Sequence, residues 1–227
     1  MYFTERTDNM ILEKNSTLLL YGDSVTDMGR KPEGEGLFEA IGVGYPADLC
    51  SLLTINYSDY KIRVVNKGVS GNTSRDLVNR FDSDVLPYKP EYLSILIGIN
   101  DVWRQFDSPL NTAIACSPEE YEENLENIIA RSKDFVKKLI LVTPYYMEPN
   151  KNDTMRARMD EYSAIVKKLA EKHDAVFVDM QAAWDKLFVV YHSTMIAWDR
   201  IHPNSIGSMY MAQTILDSIG FDWNRRV

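Results

Sequence analysis

The amino-acid sequence predicts an α/β domain built on a five-stranded, mainly parallel sheet with helices on both faces. Three observations carry that expectation. Five short apolar, β-branched runs recur along the chain, stretches of helical spacing separate them, and no repeat, low-complexity segment or Pro/Gly/Ser linker divides the 227 residues. Strands that alternate with helices imply crossover connections, which make neighbouring strands parallel and cover both sheet faces. The length suits one large domain, residues 1–227, with one sizeable core.

The elements follow in chain order. Residues 17–21 read as the first strand, and residues 45–54 as a helix. A second strand over 62–65 leads to a helix over 74–86. A third strand covers 92–97. The next helix is announced by Ser117 as cap, Pro118 at the first helical position and Glu120 three residues after the cap. Tyr121, Leu125, Ile128, Ile129 and Phe135 then fall at helical spacing. Strand 139–142, helix 154–172, strand 175–178 and helix 180–190 complete the alternation. A last helix over 205–219 is closed by Gly220.

Composition narrows the partners. A formal charge of −8 repels phosphate backbones and anionic lipid, which argues against nucleic acid or a membrane surface and for a small or neutral ligand. The first fifteen residues carry Glu5, Asp8 and Glu13 and lack the apolar stretch of a secretory signal, so a cytoplasmic location is expected. Cys50 and Cys116 stand in no CxxC or Cys/His pattern and read as free thiols of a reducing compartment.

In a sheet of this kind ligands bind where the carboxyl ends of the strands open into loops, so the residues just after each run are read for chemistry. Gly22-Asp23-Ser24-Val25-Thr26-Asp27 follows the first strand and sets a serine hydroxyl one turn past the sheet edge; the same tripeptide also makes an ordinary turn or cap. It is neither a Gly-rich Lys-Ser/Thr phosphate loop nor a Gly-x-Ser-x-Gly elbow. Lys67-Gly68-Val69-Ser70-Gly71-Asn72-Thr73 follows the second strand, with two glycines that permit tight geometry and exposed amides, or simply a turn. Gly98-Ile99-Asn100-Asp101 follows the third and offers a neutral amide donor, or a cap.

Before the last helix stands Trp198-Asp199-Arg200-Ile201-His202-Pro203. An Asp three residues before a His can share its loop turn and orient the imidazole. His173 lies in a charged surface stretch and His192 at the expected end of a helix, so solvated or capping roles suit both. Together these segments supply a nucleophile (Ser24), a base (His202), an orienting acid (Asp199) and oxyanion donors (the amides of Ser24 and Gly71 and the side chain of Asn100).

The four segments, in order, resemble the blocks of the SGNH (GDSL) hydrolase family: Gly22-Asp23-Ser24, then Gly71, then Gly98-Ile99-Asn100-Asp101, then Asp199-Arg200-Ile201-His202. Val25 stands where the family pattern has Leu, an apolar position with no chemistry. The resemblance spans residues 21–203 and implies a flavodoxin-like three-layer α/β/α sandwich.

Longer strings resemble the intracellular acetylxylan esterases. They are Asp27-Met28-Gly29-Arg30 with Pro32-Glu33-Gly34-Glu35-Gly36, Val64-Val65-Asn66-Lys67-Gly68, Val102-Trp103-Arg104-Gln105 and Ala197-Trp198-Asp199-Arg200. The resemblance implies deacetylation of small acetylated carbohydrates, such as xylo-oligosaccharides, by a homo-oligomer. A lipid ester or thioester hydrolase would use the same blocks, although the polar stretch from Lys31 to Gly44 offers no long apolar wall. A non-catalytic carbohydrate-binding protein would lack the nucleophile or base, and Ser24, Asp199 and His202 are all present.

Trp103, Tyr145 and Trp198 follow strand ends or flank the triad and are candidates for an aromatic wall against a sugar ring, with packing as the competing role. Asp23 and Arg104 are further candidate substrate contacts. Asp179, after the fifth strand, suits a helix cap. Asp23 and Asp27 lack a converging ligand set, so no metal or other cofactor is expected.

Overall fold

A computed structural model describes residues 9–33 and 39–225. Glu5, Asp8 and the string Gly34-Glu35-Gly36 lie outside the described residues, as does the middle of the stretch from Lys31 to Gly44.

The chain alternates strand and helix as its pattern predicts. In order come β1 (Thr17–Gly22), α1 (Ser24–Asp27), α2 (Tyr45–Asn56), β2 (Arg63–Gly68), α3 (Ser74–Asp84), β3 (Tyr92–Leu96), α4 (Ile99–Asp107) and α5 (Pro118–Ser132). Then follow β4 (Lys138–Val142), α6 (Thr154–Lys172), β5 (Val176–Val178), α7 (Met180–Leu187) and α8 (Ser205–Ser218). All strand pairs are parallel, in the order β2-β1-β3-β4-β5, which is the flavodoxin-like arrangement. Helices α2 and α8 pack together, with α7 against α8, while α3, α5 and α6 pack in series as a separate group. Right-handed crossovers require this division, because the chain reverses direction across the sheet after β2.

Local chemistry accounts for the helix starts. Ser117 Oγ accepts the Glu120 amide, Asp153 the Arg156 amide and Asp179 the Ala182 amide, so each side chain satisfies an amide that the first turn leaves unpaired. Thr73 and Asp76 form a reciprocal capping box at the start of α3. The buried apolar side chains form one continuous core from Met10 to Phe221. Among the described residues no helix is long and apolar enough to cross a membrane.

Three expectations are corrected. Residues 24–27 and 99–107 are helical, although no helix was expected there. Four residues are too few to show a period, and α4 begins behind Gly98, at a position that reads as a turn. The helix expected to reach residue 190 stops at Leu187. His192 therefore does not end a helix; its Nδ1 instead accepts the Thr194 amide and caps the short 3-10 turn Ser193–Met195.

The register decides where function collects. Gly68, Gly22, Leu96, Val142 and Val178, the last residues of the five strands, pair across the sheet in one transverse row. Every loop that follows a strand starts from that line. The order also reverses between β1 and β3, opening a crevice between the segments that carry Ser24 and Asn100.

Candidate active site

Ser24 is the first residue of α1, just past the sheet edge. Its Oγ lies 2.7 Å from His202 Nε2, and His202 Nδ1 lies 2.6 Å from Asp199 Oδ2. The loop before α8 is wound for this contact. Asp199 Oδ1 accepts the main-chain N–H groups of Ile201 at 3.0 Å and His202 at 2.9 Å, folding the four residues into one turn. Arg200 takes φ +64°, a left-handed conformation that favours glycine, and is held there by an ion pair with Glu148 and by its carbonyl accepting the Met147 amide.

Burial tends to raise the Asp199 carboxyl. The His202 side chain and the two amides outweigh burial and hold it below the usual carboxylate range. The ionised carboxylate can only accept, so the ring proton sits on Nδ1 and Nε2 is left to accept the Ser24 O–H.

The other two strand ends converge on the same place. Gly71 has φ +83° and open space beside its α-carbon, so its conformation, rather than crowding, calls for glycine. Gly68 is needed for the opposite reason: a Cβ there would stand 2.1 Å from the Asp27 main-chain nitrogen, where α1 crosses β2. Asp27 Oδ2 accepts the Ser70 amide and hydroxyl, fastening the Gly71 loop to the nucleophile helix. Asn100 Nδ2 donates to Asn72 O at 2.9 Å, and its Oδ1 accepts from Arg104 at 3.1 Å, which leaves one amide N–H for a ligand. The main-chain N–H groups of Ser24 and Gly71 have no acceptor among the described residues.

A hydroxyl, an imidazole and a carboxylate in line, beside three N–H donors from three loops, form an arrangement suited to acyl transfer. Comparison with known proteins agrees. The family model of the GDSL-like lipase/acylhydrolases matches residues 20–209. The chain belongs to that family. An acetylxylan esterase of Geobacillus stearothermophilus is 46% identical over 217 residues, 95% of this chain and 99% of the relative. The crystal structure of a catalytic mutant of that bacterium's acetylxylan esterase Axe2 superposes with a TM-score of 0.93, at 46% identity over 96% of this chain and all of the other. LAE5, an alpha/beta hydrolase enzyme from the metagenome of Lake Arreo, Spain, gives 0.91 at 47% identity over 93% of this chain and 98% of its own.

In this GDSL hydrolase Ser24 lies against His202, and Asn100 against the Gly71 loop, at one edge of the sheet, but the expected substrate contacts divide. Trp198 is 85% exposed beside Asp199. Trp103 is half-buried against the core with the Arg104 guanidinium over its ring, and Arg104 also pairs with Asp107. Two placements are corrected. Tyr145 is 2% exposed; its hydroxyl donates to Ile201 O at 3.1 Å and its ring packs on Trp184, so it braces the triad loop from behind. Asp23 is also 2% exposed, and its carboxylate caps α1 at the Val25 amide. Burial pushes the Asp23 carboxyl up to about 7, with the neighbouring Asp101 adding to the rise.

Two supporting residues stand inside the quoted strings with no role assigned to them there. Buried Asn66 donates to Thr26 O and Ile41 O and accepts the Gly68 amide, locking α1 to β2. Asp101 accepts the Ser74 amide and hydroxyl at the start of α3. Burial pushes its carboxyl up to about 6 despite the Ser74 hydrogen bonds.

Proposed function

We propose that the chain is a serine esterase that removes O-acetyl groups from acetylated xylo-oligosaccharides or related small sugars. The observation that carries the catalytic part is the Ser24–His202–Asp199 line, with contacts of 2.7 and 2.6 Å. The substrate class rests on near full-length similarity to an acetylxylan esterase.

His202 Nε2 takes the Ser24 proton as Oγ bonds to the acetyl carbonyl carbon. The carbonyl becomes an oxyanion held by the Ser24 and Gly71 amides and Asn100 Nδ2. The tetrahedral adduct collapses, His202 gives the proton to the departing sugar oxygen, and an acetyl-enzyme remains. Water then repeats the sequence with His202 as base, releasing acetate and restoring Ser24. Asp199 keeps the ring in the required tautomer and stabilises the imidazolium in both halves.

The open space beside Gly71 and the exposed ring of Trp198 suit a small acyl group and a sugar at the carboxyl edge of the sheet. We also propose a cytoplasmic homo-oligomer. Exposed Val189, Val190, Met195, Trp198 and Ile206 are concentrated between the end of α7 and the start of α8, and such surface favours association. Sedimentation tests the assembly. Rates on aryl acetate, butyrate and octanoate, with acetate release from acetylated xylo-oligosaccharides, test the substrate. Preference for octanoate with no acetate released from the sugar would overturn it.

A further inference from the structure

Arg80 lies on α3, outside the triad and outside every motif in the sequence. Its guanidinium nevertheless bonds directly to two of the three segments that carry the proposed oxyanion donors, and reaches the third, that of Asn100, through Asn72. Nη2 donates to Gly22 O at 2.8 Å, two residues before Ser24. Nη1 donates to Lys67 O at 2.9 Å, near the end of β2, and to the Asp84 carboxylate. Nε donates to Asn72 Oδ1 at 2.7 Å, beside Gly71. Asn72 passes the link onward, because its carbonyl accepts the Asn100 Nδ2 proton. The guanidinium also sits over the Tyr21 ring, 4.4 Å from its centroid, and the side chain is only 16% exposed.

We propose that Arg80 is a positioning residue for the oxyanion hole, one rigid fork that sets the spacing of the Ser24 amide, the Gly71 amide and the Asn100 side chain. The proposal rests on the acyl-transfer reading above. A planar guanidinium with donors in fixed directions holds several acceptors in one geometry, whereas a lysine ammonium is a single compact charge. Oxyanion donors act on the transition state far more than on the bound ester, so loosening their spacing lowers turnover and spares substrate binding.

The test is steady-state kinetics on an aryl acetate, together with the affinity for phenylboronic acid, whose tetrahedral anionic adduct on serine engages the same donors. The proteins are wild type, Arg80→Ala, Arg80→Lys, Asn72→Ala and Arg131→Ala. Arg131 is the matched control: it sits over Phe81 at 4.4 Å, donates to Val78 O and pairs with Asp82, all on the same helix α3, and among the described residues it makes no hydrogen bond or ion pair with the three loops.

Arg80→Ala is expected to lower kcat about 100-fold, the cost of a small misplacement at a reacting centre, and to weaken boronate binding in parallel. KM should stay within roughly 2-fold. Added guanidinium at millimolar concentration should restore part of kcat, Arg80→Lys should recover only a minor share, and Arg131→Ala should keep wild-type kinetics. An unchanged kcat in Arg80→Ala, or an equal loss in Arg131→Ala, overturns the proposal. If Arg80→Ala does not fold, Asn72→Ala decides: a lowered kcat at constant KM supports the link, and wild-type kcat overturns it. A wild-type protein inactive on aryl acetate overturns the acyl-transfer reading and the proposal with it.

Discussion

Asp199 grips His202 at two points: Oδ1 accepts the His202 main-chain N–H at 2.9 Å, while Oδ2 lies 2.6 Å from Nδ1 of the ring. One carboxylate therefore shapes the loop and selects the tautomer. Asp199→Asn can satisfy the backbone with its amide oxygen but turns an N–H towards the ring, which favours the wrong tautomer. The expected result is a kcat loss of about 10⁴-fold with KM little changed, read from aryl acetate kinetics. A loss confined to KM would contradict this role.

Asn100 and Arg104 form a graded pair. Asn100→Ala removes a donor and is expected to lower kcat by roughly 10²–10³-fold. Arg104→Ala leaves the amide in place and removes the hydrogen bond that orients its oxygen, along with contacts to Trp103 and Asp107 that lie away from the donor, so its effect on kcat should be clearly smaller. Equal losses in the two variants would mean that Arg104 touches the reacting atoms itself.

Asp23 gives the fold a pH dependence with a definite sign. Its folded value, about 7, lies above the usual carboxylate value, so between about pH 4 and 7 the folded chain keeps a proton that the unfolded chain has lost. Stability from this group therefore falls as pH rises through that window. Asp199, shifted downward, acts in the opposite sense: it stabilises above its unfolded value, and that contribution is lost as pH falls through its folded value. Asp23→Asn keeps an acceptor for the Val25 amide and should make the change in Tm from pH 4 to 7 more positive than in wild type. Superimposable Tm profiles would contradict the assignment.

Both thiols should be inert in the folded chain. Cys50 and Cys116 are buried, and burial, reinforced by Asp101, pushes the Cys116 thiol up to about 12. A thiol-specific chromogenic reagent at neutral pH should report both groups promptly only after denaturation. Rapid native labelling at Cys116 would show that the Asp101–Ser74 region opens.

The parts of this molecule that were legible in the sequence are those that obey a period or a cap. Tyr121, Leu125, Ile128 and Ile129 announce α5, and all four are buried in it. Helix 154–172 has the bounds its pattern predicts, with Asp153 capping its first turn and His173 ending it. The candidate positions Ser24, Gly71 and Asn100 stand out because parallel strands in register bring the residues that follow them to one edge. Helix α1 was hidden by its length and α4 by Gly98.

The buried supports were hidden for a different reason. Asn66 donates to main-chain carbonyls, which every residue possesses, and Arg80, beyond its ordinary helical pair with Asp84, reaches two more carbonyls across the fold, so side-chain types alone do not betray their role. Tyr145 shows the converse limit. An aromatic after a strand end suits a sugar wall or a core equally, and only the contact with Ile201 O assigns it to the back of the triad.

The central claim is that Ser24 forms the acetyl-enzyme, and acetate release from acetylated xylo-oligosaccharides by wild type and Ser24→Ala tests it most directly. Wild type should release acetate steadily. Purified, folded Ser24→Ala should fall by about 10⁶-fold, in practice to background. Acetate release by the variant near the wild-type rate would contradict the assignment of the nucleophile and the mechanism built on it.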